Sequence, residues 1–157
     1  MDNFNRLYQK ALFFLSFRPR SEKEIRDYLK KKQTDDLTLD KIIKNLKINK
    51  FLNDEEFVKW WIEQRTTIKP KASRVIRIEL QRKGISKELI EGLLEKDKNG
   101  DFKKALVVAE KKFKRYSNTD DKRKTFERLG RFLSSKGFDY DTIKEVIDQL
   151  FSKEYNS

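Results

Sequence analysis

Three patterns of side chains in this 157-residue chain have the types and spacing to do chemistry. Asp54, Glu55 and Glu56 stand in succession, as carboxylates do where they hold a divalent cation for hydrolysis. Between Arg65 and Lys83 seven Lys and Arg residues face one acid, Glu79, a balance that attracts phosphate or an acidic protein groove. Trp60 and Trp61 adjoin Phe57, a surface for a partner or for packing. The composition removes most other chemistry. With no His and no Cys, there is no imidazole base, no thiol nucleophile and no thiolate or imidazole zinc site. Five glycines form neither of the glycine-rich phosphate loops.

The acidic pattern reads as a helix start. Carboxylates in a first turn complement the helix dipole by about 0.3–1 kcal/mol, and a two-metal centre needs carboxylates from several elements, which this sequence does not offer. The expectation is a non-enzyme with no metal and no cofactor. The basic pattern is stronger because the charge swings: Phe51 to Gln64 carries −3 and Arg65 to Lys83 carries +6, in a chain of net charge +12. Arg65, Lys69, Lys71, Arg74, Arg77, Arg82 and Lys83 are the expected binding strip. Lys111, Lys112, Arg115, Lys122, Arg123, Lys124, Arg128 and Arg131 form a secondary patch. Such contacts follow a phosphate backbone, carry little sequence information and weaken with salt.

The elements that must carry these residues are all helical. Apolar residues recur at spacings of three and four nearly everywhere and hardly ever alternate. The stripes include Leu7/Ala11, Ile25/Leu29, Ile42/Leu46, Phe57/Trp61, Ile76/Leu80, Ile90/Leu94, Ala105/Ala109, Phe126/Leu129/Leu133 and Ile143/Ile147, which makes nine short helices. Ser21 with Glu24 and Asn53 with Glu56 have capping-box spacing. Pro70 suits a first helical turn, and Gly84 and Gly137 suit the residue just past a helix end. Ile25, Leu29 and Lys32 recur as Ile76, Leu80 and Lys83, and again as Leu129, Leu133 and Lys136. The chain therefore reads as three tandem three-helix, helix-turn-helix-like repeats over 1–50, 51–98 and 99–157, elongated and curved. A polar insertion around Thr34, Asp35 and Asp36 is assigned to a loop. Charged residues at 41% fit such a shape, because helices this short bury little and depend on their neighbours.

On these residues the chain resembles the bacterial RecX family. RTTIKPKASRVIRIELQRKGI from Arg65 to Ile85, preceded by Asn53 to Val58, is similar to the family's central block. Ala11 to Leu15 with Arg18, Ser21, Glu24, Ile25 and Leu29 is similar to its opening block. Asn53-Asp54 replaces the usual Asp-Asp, and Gln33 stands where the first repeat often has Gly. The resemblance spans about Ala11 to Leu150. It implies a regulator that binds the RecA filament on single-stranded DNA and limits its ATP hydrolysis and strand exchange, with a role in DNA repair and recombination and direct binding to single- or double-stranded DNA. The alternative is a basic DNA-binding protein with no specific action on RecA. No apolar run approaches the roughly 18 residues of a membrane span, and the first twenty residues lack the order of a secretion signal. A cytoplasmic monomer without membrane association is expected.

Overall fold

The computed structural model describes residues 3–95 and 100–155. Among these are nine α-helices and no strand: α1 Asn3–Leu15, α2 Glu22–Lys31, α3 Asp36–Ile48, α4 Asp54–Glu63, α5 Ser73–Arg82, α6 Lys87–Glu95, α7 Asp101–Ser117, α8 Lys122–Ser135 and α9 Tyr140–Tyr155. A π-helical turn, Gln64–Ile68, follows α4. The repeat boundary expected between 98 and 99 lies outside the described residues. No described helix is long and apolar enough to cross a membrane.

Local chemistry accounts for the helix starts. At α2 the Ser21 hydroxyl accepts the Glu24 N–H at 3.2 Å and the Glu24 carboxylate accepts the Ser21 N–H at 3.1 Å, so both arms of the capping box are made. Asp54 adds a third acceptor, taking the Glu22 N–H at 2.8 Å. The same device recurs one repeat later, where Asp101 at the start of α7 accepts the Ser73 N–H and hydroxyl, each at 2.9 Å. Each of these acids supplies the oxygen that an orphaned first-turn donor requires.

A four-residue turn joins the second and third helices of every repeat: Lys32-Gln33-Thr34-Asp35, Lys83-Gly84-Ile85-Ser86 and Lys136-Gly137-Phe138-Asp139. The second residue is left-handed in all three, with φ of 62°, 79° and 92°. Its N–H and the next one bond back to the helix, at Lys30 and Leu29, Gln81 and Leu80, and Ser134 and Leu133 respectively, the paired bonds of a Schellman end. The third residue is buried each time, and the fourth caps the next helix through its side chain. Thr34 and Asp35 lie in a loop as expected, but a loop of the same length as in the other two repeats, so the turn carries no insertion. Thr34 is buried with its hydroxyl donating to Leu29 O at 2.8 Å, Asp35 is the cap, and Asp36 already opens α3. Because Gln33 holds a backbone conformation that costs an L-residue about 1–2 kcal/mol, Gln33→Gly should raise stability by about 0.5–1 kcal/mol after the extra freedom of unfolded glycine is subtracted. Chemical denaturation of the two chains measures it.

The chain forms two compact units. The first runs to Trp61 and resumes over Glu79–Leu93, and its core includes Leu7, Ala11, Ile25, Leu29, Leu39 and Ile42. The second takes Ile62–Ile78 and the chain from Leu94 onward; Ala105, Ala109, Leu129, Leu133, Val146 and Ile147 fill its core. Two sequence expectations fail in this second unit. Pro70 precedes α5 by three residues and lies outside the helix. It is Ala72 whose carbonyl accepts the first helical bonds, from Val75 and Ile76. In α8 the buried face runs through Thr125, Leu129 and Leu133, while Phe126 is 51% exposed and lies beside Phe151, with ring centroids 6.4 Å apart. The spacing of four from Thr125 fits the helix better than the spacing of three from Phe126, and size alone misled the stripe.

Candidate nucleic-acid and filament interface

The acidic cluster is occupied with helix-building. Asn53 Oδ1 accepts the Glu55 and Glu56 N–H groups at 2.9 and 3.2 Å, and both glutamates lie 3.5 Å from Lys59. Burial and the nearby charges of Glu22 and Glu24 push the Asp54 carboxyl upward, while the bond from the Glu22 N–H pulls it down.

In the first unit the basic residues converge on one carboxylate. Arg18 holds Glu24 with two nitrogens, at 3.2 and 2.6 Å; Lys83 stands 3.4 Å and Arg20 3.8 Å from the same oxygen. The guanidinium of Arg18 lies 5.8 Å from the ring centres of both Trp60 and Trp61, and Lys83 is 5.6 Å from Trp61. Trp61 donates its indole N–H to Glu79 at 2.7 Å. Burial would raise the Glu24 carboxyl, but the bonds from Arg18 and the Ser21 N–H and the charge of Lys83 hold it below the usual carboxylate range. Lys83, expected in the outward strip, is thus half-buried and committed to an internal network, whereas Arg82 is exposed.

The second unit contains Arg65, Lys69, Lys71, Arg74 and Arg77 from the same expected strip. The π turn that carries Arg65 and leads to Lys69 and Lys71 is held by the Thr66 and Thr67 hydroxyls, which donate to Ile62 O and Glu63 O at 2.7 and 2.9 Å. Lys69 N–H then bonds Gln64 O, Lys71 N–H bonds Arg65 O and Ala72 N–H bonds Lys136 O, at 3.0, 2.9 and 3.1 Å. Arg74 donates Nε to Gly137 O at 2.7 Å. That bond ties α5 to the turn after α8, so Arg74 has an anchoring role that its outward position in the helical pattern concealed.

The secondary patch is similarly mixed. Arg128 pairs with Asp120 at 2.8 Å and lies 3.9 Å from the Tyr116 ring centre, and the bond to Asp120 raises its basicity. Arg123 pairs with Glu127 at 3.2 Å, and Lys122 sits 5.4 Å from the Phe151 ring. Lys111, Arg115, Lys124 and Arg131 are exposed. Lys112 lies 5.0 Å from the Phe132 ring centre and Lys136 5.6 Å from it. Burial lowers the Lys136 ammonium, as do the positive charges of Lys71, Lys112 and Lys69. The expected strip and the expected patch therefore meet here, at a lysine the sequence reading used only as a repeat marker. Its signal was the recurrence of Lys at 32, 83 and 136.

These groups are donors and positive charges without a nucleophile or base among them, an arrangement suited to anion binding. Models of the first, second and third three-helix domains of RecX match residues 8–46, 53–94 and 100–147 in order. The chain belongs to the RecX family. The regulatory protein RecX of Clostridium beijerinckii is 35% identical over 153 residues, covering 96% of this chain and 71% of the relative. That of Oceanobacillus iheyensis is 32% identical over 153 residues, covering 98% of this chain and 56% of its own length, so the chain spans little more than half of that RecX. The crystal structure of RecX from Lactobacillus salivarius superposes with a TM-score of 0.74 at 28% identity, over 94% of this chain and 96% of that one. Asn53 caps α4 through its side-chain oxygen, and Gln33 takes the left-handed conformation that Gly adopts at 84 and 137.

Proposed function

We propose that this chain is a non-enzymatic cytoplasmic regulator that binds the RecA filament on single-stranded DNA as a monomer and limits its ATPase and strand exchange. The observation that carries the reading is the ordered match of all three RecX domains across residues 8–147. Exposed Arg82 in the first unit and exposed Lys69, Lys111 and Arg131 in the second support it, because positive groups on both units suit a polyanionic assembly. Bridging recombinase subunits and DNA phosphates makes the rearrangements of the ATPase cycle costlier. The second reading, a DNA-binding protein that competes for single strands, is favoured by the same charges taken alone.

A chain carrying Arg82→Glu and Arg131→Glu should keep its helical content and melting temperature and need about tenfold more protein for half-inhibition of RecA ATPase, a loss of roughly 1.4 kcal/mol in binding. Undiminished inhibition by the doubly reversed chain removes both arginines from the mechanism.

A further inference from the structure

We infer that Lys69, Lys71, Lys112 and Lys136 form a phosphate cradle for a nucleic-acid strand in the second unit, built around the face of Phe132. The inference rests on the reading that the chain engages DNA, and it assigns where the strand's phosphates sit. The bond from Ala72 N–H to Lys136 O fixes the segment carrying Lys69 and Lys71 beside the end of α8. From α7, Lys112 reaches the ring that Lys136 also approaches, the two ammoniums standing 5.0 and 5.6 Å from its centre. Burial lowers the Lys136 ammonium, and the charges of Lys71, Lys112 and Lys69 add to that effect.

None of the four has a carboxylate oxygen within 4.0 Å among the described residues. Some other basic groups of this unit are paired. In the same unit Lys104 lies 3.4 Å from Asp101, Arg123 pairs with Glu127 and Arg128 with Asp120. The four lysines are left without a protein counter-charge among the described residues, two of them at one aromatic ring. The negative face of Phe132 and the negative end of the α8 dipole hold Lys136 and Lys112 in place, but neither supplies a counter-charge. Phosphodiester oxygens do. Four ammoniums exceed what one phosphate neutralises, whereas a strand presents a negative charge about every 3.4 Å along its length. Ammoniums are point charges on flexible stems, so the cradle reads backbone and not bases.

The test is binding of a fluorescent oligo(dT) by the full chain over a range of salt, for the unsubstituted protein and for Lys112→Gln with Lys136→Gln, with thermal melting alongside. Losing two phosphate contacts should shrink the log–log salt slope by about 1.4, and relief of repulsion should leave the melting temperature unchanged or higher. Lys23→Gln, which removes a cation already paired with Asp27 at 2.9 Å, should leave the slope as it was. An unchanged slope in the double variant overturns the cradle, and so does a slope that falls only together with the melting temperature. Retained inhibition of RecA ATPase in that case leaves the filament reading standing. Failure of the unsubstituted chain to bind the oligonucleotide removes the cradle and the direct DNA contact together.

Discussion

Glu24→Ala should destabilise the protein by about 2–4 kcal/mol, which for a chain of this size lowers the melting temperature by roughly 5–15 °C. Glu24 closes the capping box of α2 and accepts both nitrogens of Arg18, and it is the shared counter-charge of Arg20 and Lys83. Removing it leaves Arg18, Arg20 and Lys83 without their shared counter-charge, Arg18 and Lys83 beside Trp61 and Arg20 over Phe14. Loss of one partner from a buried pair costs roughly 3–5 kcal/mol; the side chains of Glu24 and Arg18 retain 12% and 25% exposure, which trims that figure. The acid response tests the same network. A carboxyl held below its ordinary range contributes fully above that range and loses its contribution as pH falls through the depressed folded-state value. Glu24 behaves so, as does Glu22, which burial would raise but which Lys47 and Arg26 bring down. Asp54, raised by burial, works in the opposite sense. Melting of the unsubstituted chain should therefore fall as the solution is acidified through and below the usual carboxylate range, and Glu24→Gln should flatten that fall.

Gly137→Ala is expected to cost about 2–4 kcal/mol, combining the strain of a left-handed L-residue with overpacking. At φ of 92°, a Cβ on residue 137 would collide with Cγ2 of Val75 on α5, and it sits beside the carbonyl that Arg74 grips. Gly130 provides the control within α8. Nothing lies within 4 Å of a Cβ placed there, so Gly130→Ala should stabilise by about 0.5–1 kcal/mol. Urea denaturation of both variants decides whether the turn after α8 is fixed by backbone conformation and close packing together. Equal stabilities for the two would contradict that account.

What could be read from the sequence was local. The Ser21–Glu24 box, the Asn53 cap, the glycine turns and the repeat spacing all depend on residues within a few positions of each other, where a residue's own chemistry decides its conformation. The first-repeat turn looks like a polar insertion because Gln33, Thr34 and Asp35 are polar, although Thr34 is buried through its bond to Leu29 O. The site was legible as a class, a strongly basic protein lacking catalytic groups, and much less so residue by residue. Arg74 bonds a carbonyl 63 positions away and Lys83 a carboxylate 59 positions away. No local pattern distinguishes them from Arg82, which is exposed. Lys136 stands beside the segment of Lys69 and Lys71 because Ala72 bonds across to its carbonyl, and beside Lys112 because both reach the Phe132 ring, contacts that helical spacing does not encode.

The proposed regulator acts on the recombinase filament and not merely on the strand beneath it. The direct measurement is RecA ATPase on single-stranded DNA at fixed physiological salt, titrated with this protein while its occupancy of the same DNA is followed in parallel. ATPase should fall at protein levels far below those that coat the DNA. A decline in ATPase that only tracks DNA coverage would contradict it and leave a basic strand-binding protein on a RecX fold.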